Sequence, residues 1–90
     1  MISMKERDLV ERYLCLDIVL EVDSNSDMLM EYQSVTERMR KLKLQIEHEY
    51  TTKYEYGFMI RNEKHEKKQT YTTGHLIYLV KRTLKEFNEE

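Results

Sequence analysis

Turn-forming residues are scarce in this chain, and their scarcity limits the folds that it can adopt. Its 90 residues include no proline, and the only glycines are Gly57 and Gly74. Because proline and glycine are the residues that most often interrupt regular structure, we expect a few long elements joined by short connections. The length corresponds to a single domain that covers residues 1–90.

The N-terminal segment carries the signature of a helix start. Ser3 is followed three residues later by Glu6, which matches a capping box. Apolar side chains then recur at helical spacing, so a helix over residues 4–22 is predicted. Residues 14–22 also alternate between apolar and polar side chains, a period of two that is typical of a strand. We adopt the helix and keep a strand over 14–22 as the alternative.

The clearest helical pattern lies in the middle of the chain. Apolar side chains recur every three or four residues there, at Met28, Tyr32, Val35, Met39, Leu42 and Ile46. They form a stripe about 80° wide, which predicts a helix over 27–49 that packs lengthwise on another helix. Leu29 and Leu44 lie outside the stripe and need a second packing surface, so both are predicted to contact a partner.

After residue 50 the pattern becomes that of a β-hairpin. Tyr54, Tyr56, Phe58 and Ile60 alternate onto one face. The polar residues 62–67 form the predicted tip, and 68–73 form the return strand. A last helix is predicted over about 75–88, after Gly74.

These segments predict an α+β fold with the element order α-α-β-β-α. If residues 14–22 form a strand instead, the hairpin gains a third strand. The alternative fold is then a three-stranded sheet with helices on one face.

Acidic and basic residues occupy separate blocks. Residues 1–37 carry three basic and nine acidic side chains, residues 38–85 carry twelve basic and five acidic ones, and Glu86, Glu89 and Glu90 follow. Such a dipolar chain suits self-association in a defined orientation, or a charged partner. We expect the acidic first helix to lie along the basic second helix, within one chain or across a dimer.

The basic block also raises the hypothesis of nucleic-acid binding. Lysine and arginine side chains neutralise phosphates and release counterions, and exposed tyrosines such as Tyr54, Tyr56 and Tyr71 stack on unpaired bases. The candidate phosphate contacts are Lys64, Lys67, Lys68, Lys81, Arg82 and Lys85. Against this hypothesis, the basic residues of the second helix surround it instead of forming one reading face.

Catalytic and metal-binding motifs are missing from the sequence. His48, His65 and His75 are too far apart to form the close ligand pairs of a zinc site. There is no glycine-rich phosphate loop and no nucleophile motif. We therefore expect no enzyme and no cofactor. Asp17 falls on an apolar face, where a carboxylate needs either a partner or a solvent-exposed edge.

The remaining features concern location. The single cysteine, Cys15, allows no disulfide within the chain and fits a reducing compartment. No apolar run approaches the roughly 20 residues that span a bilayer. A cytoplasmic location without a membrane partner is therefore expected.

The sequence thus predicts a small, non-catalytic regulatory or adaptor protein that binds another protein and forms a homodimer. The predicted partner contacts are Leu29, Leu44, Arg61, Lys64, Lys67 and Lys68. The alternative function is nucleic-acid binding through the basic hairpin tip and the last helix.

Overall fold

Three helices and one three-stranded antiparallel sheet make up the computed structural model, which describes residues 2–23 and 25–88. The elements are α1 (Met4–Leu20), α2 (Ser26–Lys41), β1 (Gln45–Thr51), β2 (Glu55–Arg61), β3 (Glu66–Thr72) and α3 (Thr73–Asn88). The predicted α+β class is confirmed, and so is the three-stranded sheet of the alternative. Glu89 and Glu90 of the C-terminal charge pattern lie outside the described residues.

The first helix begins as the capping box predicts. The Ser3 hydroxyl accepts a hydrogen bond from the Glu6 N–H, and the Glu6 carboxylate accepts one from the Ser3 N–H, both at 3.1 Å. Asn62 donates a further bond of 3.1 Å to that carboxylate. This bond is the main cause that lowers the pKa of Glu6, and it ties the start of α1 to the turn between β2 and β3.

A strand over 14–22 is wrong, because α1 continues to Leu20. The period-two alternation there has another physical cause. The helix is packed against both α2 and α3, and Leu14, Leu16 and Val19 are all buried. A helix that is covered on several sides carries apolar residues on several sides, which weakens its helical period.

The predicted helix over 27–49 is correct only as far as Lys41. It ends in a Schellman motif, in which the Leu44 N–H donates to the Met39 carbonyl at 2.9 Å and the Lys43 N–H donates to the Arg40 carbonyl at 3.0 Å. Lys43 takes the left-handed conformation that this motif requires, with φ of 56°. The chain leaves the helix there and continues as β1. This strand gives the sheet three strands, whereas the predicted hairpin had two.

The sheet is a meander with the order β1-β2-β3. Ile46, His48, Phe58 and Ile60 share the face that points toward the core, as the register Ile46↔Ile60 and His48↔Phe58 shows. The buried core cluster combines residues of α1, α2 and β2, and partly buried side chains of α3 pack against it. Its largest fully buried side chain is Phe58.

A β-bulge between His48 and Tyr50 redirects the end of β1. As a result the Tyr50 ring lies directly over Gly57 of β2, where any Cβ atom would overlap it. A larger residue at position 57 would therefore have to displace the exposed Tyr50 ring. None of the helices within residues 2–23 and 25–88 is both long and apolar enough to cross a membrane.

The strained Lys43 gives a first prediction. Replacing Lys43 with glycine is expected to raise the free energy of unfolding by about 0.5–1 kcal/mol, because the left-handed conformation costs an L-residue more than glycine loses in unfolded-state entropy. The Lys43–Glu63 ion pair that is lost is exposed and contributes little. Urea denaturation measures the change.

Lys41→Gly is the matched control, because Lys41 lies two residues earlier in the helical conformation. It is expected to lower the free energy of unfolding by about 1 kcal/mol. Equal destabilisation by both glycine variants would contradict the prediction.

Candidate protein-binding groove

Strand β1 forms one edge of the sheet. Its register partners lie only in β2, and six of its seven residues are exposed, Ile46 being the half-buried one. The backbone N–H and C=O groups along a free strand edge are available to pair with another strand. Edge strands of this kind bind extended peptides by strand addition.

A groove of about 770 Å³ lies between the end of α2, the first two residues of β1, and the end of β2 with the turn that follows it. Its floor is apolar and consists of Tyr13, Met39, Leu44 and Ile46. The volume is within the range of about 300–1,000 Å³ that is typical of ligand sites. The groove therefore meets the edge strand at its start, at Gln45 and Ile46.

The rim of the groove is predominantly basic. Its charged residues are Arg40, Lys43 and Arg61, against a single carboxylate, Glu63. The Lys43 Nζ lies 2.6 Å from a Glu63 oxygen, and Arg40 pairs with Glu37 of its own helix. Cations outnumber carboxylates among the lining residues, but each cation already has a carboxylate partner. An acidic ligand therefore competes with these partners for the cations.

Arg61 is the least satisfied of these cations. Its Nη1 lies 2.7 Å from a Glu47 carboxylate oxygen, whereas its Nε is buried without a hydrogen-bond partner and lies 3.6 Å from Glu66. An unpaired buried N–H group costs free energy. Arg61 therefore has a donor that a better-placed oxygen would satisfy.

Asp17 helps to fix the groove floor. Its carboxylate accepts a hydrogen bond of 3.0 Å from the Tyr32 hydroxyl, and the Tyr32 ring stacks on Tyr13 with ring centroids 5.3 Å apart. Burial is the main cause that raises the pKa of Tyr32, so its hydroxyl stays protonated and donates. The carboxylate that the sequence placed on an apolar face thus serves to hold Tyr32, and through it Tyr13, in position.

The predicted partner contacts are dispersed in the structure. Leu44 is only 6% exposed and contributes to the core and to the groove floor, because the chain turns at Lys43. Arg61 lines the same groove, whereas Leu29 is exposed near the start of α2. Lys64 is exposed in the turn between β2 and β3. Lys67 and Lys68 are exposed neighbours on β3, so their side chains point to opposite faces of the sheet.

The predicted nucleic-acid contacts are likewise divided. Helix α3 carries three of them, which are all exposed: Lys81, Arg82 and Lys85. Lys64 belongs to a different segment of the chain, the turn between β2 and β3. Of the three tyrosines expected to stack on bases, only Tyr54 is exposed. Tyr56 and Tyr71 pack against Phe58, and burial raises the pKa of Tyr71 to about 12.

Within the chain, the ion pairs correct the expected pairing of an acidic first helix with a basic second helix, whereas the pairing across a dimer stays a prediction. The contact between α1 and α2 has the opposite polarity, because Arg12 of α1 bonds Glu31 of α2 at 2.9 Å. Arg40 bonds within α2, and Lys43 bonds Glu63. The basic end of α2 therefore remains on the surface instead of being covered by α1.

The surroundings of Cys15 and His48 bear on the chemistry of their side chains. Burial raises the pKa of the Cys15 thiol, which opposes formation of a reactive thiolate. The His48 Nε2 lies 2.6 Å from the Thr51 hydroxyl. In the part of the chain that the structure describes, no three His, Cys, Asp or Glu side chains come together as a metal site would require.

Comparison with known protein families, curated proteins and solved structures finds no match to this chain. The groove is identified by its geometry and by the residues that line it. The sequence signal that would have located β1 is the alternation of Leu44, Ile46 and His48 with Gln45, Glu47 and Glu49. Helical spacing through Leu42 and Ile46 concealed it.

Proposed function

We propose that the protein is a small, non-catalytic adaptor that binds an extended segment of another protein along β1 and in the groove beside it. The observation that carries this proposal is the free edge of β1 next to an apolar groove floor. In strand addition the backbone bonds supply affinity, and pockets for alternate side chains supply specificity.

The chemistry of the groove defines the ligand segment. Alternate side chains of an added strand point to the same side, so those that face the floor at Met39 and Ile46 are apolar. Carboxylates of the segment are placed to meet the cations of the rim, Arg40, Lys43 and Arg61. The proposed ligand is an extended segment that combines apolar and acidic residues.

A second copy of β1 is a poor ligand for this edge. An antiparallel pairing that uses the whole of Gln45–Thr51 is centred on His48, so it places Glu47 opposite Glu49 of the other copy. Like charges directly opposite one another destabilise a strand pair. The edge therefore favours a different protein over self-pairing.

Selection from a displayed library of random peptides tests the proposal. Wild-type protein is expected to enrich acidic peptides with alternating apolar residues, and Arg40→Glu is expected to bind the enriched peptide about tenfold more weakly, roughly 1.4 kcal/mol. Arg38→Glu is the matched control: Arg38 is also exposed on α2 but does not line the groove.

Backbone amide NMR shows where the enriched peptide binds. The largest shifts are expected at Gln45 to His48, the residues of β1 before the bulge. Shifts confined to another surface, or equal losses of affinity in the Arg38 and Arg40 variants, would contradict binding at β1.

A further inference from the structure

Four segments lie at one end of the molecule: the end of α1, the start of α2, the start of α3 and the turn between β1 and β2. Helix α2 begins only a few residues after the end of α1. Helix α3 runs antiparallel to α1, since Arg12 contacts Glu86 whereas Cys15 contacts Thr83. Thr73 at the start of α3 donates to the Tyr54 carbonyl at 2.8 Å, which brings in the β1–β2 turn.

Exposed apolar side chains concentrate at this end. Of the nine large apolar side chains that are exposed among the described residues, six lie here: Val22, Leu29, Met30, Tyr54, Ile77 and Tyr78. Val22 is 80% exposed and Tyr54 is 71% exposed. Clustered apolar exposure on a small domain marks an interaction surface, which we call the apolar end.

Charge divides the apolar end into two halves. The acidic half consists of Val22, Leu29 and Met30 with the carboxylates Glu21, Asp23 and Asp27. The basic half consists of Tyr54, Ile77 and Tyr78 with the cations Lys53, Lys81 and Arg82. In the basic half, Lys53 lies 5.7 Å from the Tyr54 ring centroid and Arg82 lies 5.8 Å from that of Tyr78.

We propose that the apolar end binds a second copy of the chain. A two-fold axis brings the acidic half of each copy onto the basic half of the other, so one surface complements itself in both apolar character and charge. A stable dimer buries about 800 Å² per partner, roughly an eighth of the 6450 Å² of accessible surface.

The dimer leaves β1 free in both copies. Two grooves in one assembly allow a ligand with two segments to bind both at once, which raises its effective affinity. Dimerisation is independent of peptide binding at β1, so either proposal stands if the other fails.

Charge reversal tests the dimer without disturbing the fold. Glu21 is the C-cap of α1, where a cation is favoured by the helix dipole, and Lys81→Glu creates a favourable pair with Lys85 four residues on. Each of Glu21→Lys and Lys81→Glu is expected to weaken dimerisation at least about tenfold. Sedimentation velocity at high micromolar concentration measures the change.

Mixing the two variants gives the decisive result. In a mixed dimer, the new lysine at position 21 faces the new glutamate at position 81, and the other contact keeps its original charges. The mixture is therefore expected to form a heterodimer although neither variant pairs with itself. A chain that carries both substitutions is expected to dimerise again.

Met30→Gln and Met4→Gln test the apolar contribution. Met30 is 68% exposed at the apolar end, and Met4 is 69% exposed at the first residue of α1. Only Met30→Gln is expected to weaken the dimer.

Wild-type protein that stays monomeric at high micromolar concentration, or a mixture without rescue, would overturn the proposal. So would a single-stranded oligonucleotide that binds this monomer but not the Lys81→Glu variant, because the basic half would then bind nucleic acid.

Discussion

Replacing Phe58 with alanine is expected to lower the free energy of unfolding by about 3–5 kcal/mol, the largest single loss in this protein. Phe58 is fully buried in the central strand, and its ring packs between those of Tyr56 and Tyr71, with centroid distances of 5.9 Å and 5.7 Å. Because a domain of this size is only marginally stable, the variant is expected to be largely unfolded in moderate denaturant.

Chemical denaturation followed by circular dichroism measures the effect of Phe58→Ala. The control is Met59→Ala, since Met59 is the next residue of β2 and lies half-buried on the opposite face. It is expected to cost less than about 1.5 kcal/mol, whereas Phe58→Leu falls between the two. A Met59 variant as unstable as the Phe58 variant would show that the core does not lie on the side of the sheet described here.

Replacing Arg12 with methionine is expected to lower the free energy of unfolding by about 2–3 kcal/mol. Its guanidinium makes a two-pronged contact with Glu31 of α2, at 2.9 Å and 3.0 Å, and a third bond of 2.8 Å to Glu86 of α3. It also lies 5.5 Å from the Phe87 ring centroid. Without this cation, two carboxylates remain close together with nothing between them to offset their repulsion.

Urea denaturation compares Arg12→Met with two other variants. Arg12→Lys keeps the charge but not the planar fork, so it is expected to recover only part of the stability. Lys5→Met removes an exposed cation from the same helix and is expected to change stability by less than about 0.5 kcal/mol. If Arg12→Met were as mild as Lys5→Met, Arg12 would not join the three helices.

Local signals predicted most of the elements. The capping box at Ser3 and Glu6 marked the start of α1, and the stripe through Met28, Val35 and Met39 marked the buried face of α2. Alternation marked β2, and the spacing of apolar residues marked α3. Each of these signals depends on residues close in sequence, which is why the sequence alone reveals it.

The groove was not predictable in this way because it depends on where α2 ends. A glycine normally provides the left-handed position after a helix, but Lys43 occupies it here and gives no such signal. Ile46 fits both the helical stripe and the strand alternation, and only its pairing with Ile60 decides between them. The edge strand and the groove floor therefore depend on this tertiary contact between Ile46 and Ile60.

The contacts between charged residues also could not be predicted from the charge blocks. Their totals predicted that an acidic helix covers a basic one, yet the cation that joins the helices is Arg12 of the acidic segment. Contacts depend on the few side chains that face each other, and the block totals do not identify them. Both blocks contribute to the apolar end, the acidic block through Glu21, Asp23 and Asp27 and the basic block through Lys53, Lys81 and Arg82.

The antiparallel packing of α1 and α3 has a consequence for the order in which the chain can fold. The sheet is built from short turns between neighbouring strands, so its pairing is local and can form early. Helix α1 is synthesised before the sheet, but α3, which packs on it and brings Thr83 next to Cys15, is synthesised after the sheet. A growing chain therefore keeps one apolar side of α1 open to water or to chaperones until α3 has emerged. We expect the packing of α1 on α3 to follow the local strand pairing, since it joins elements far apart in the chain.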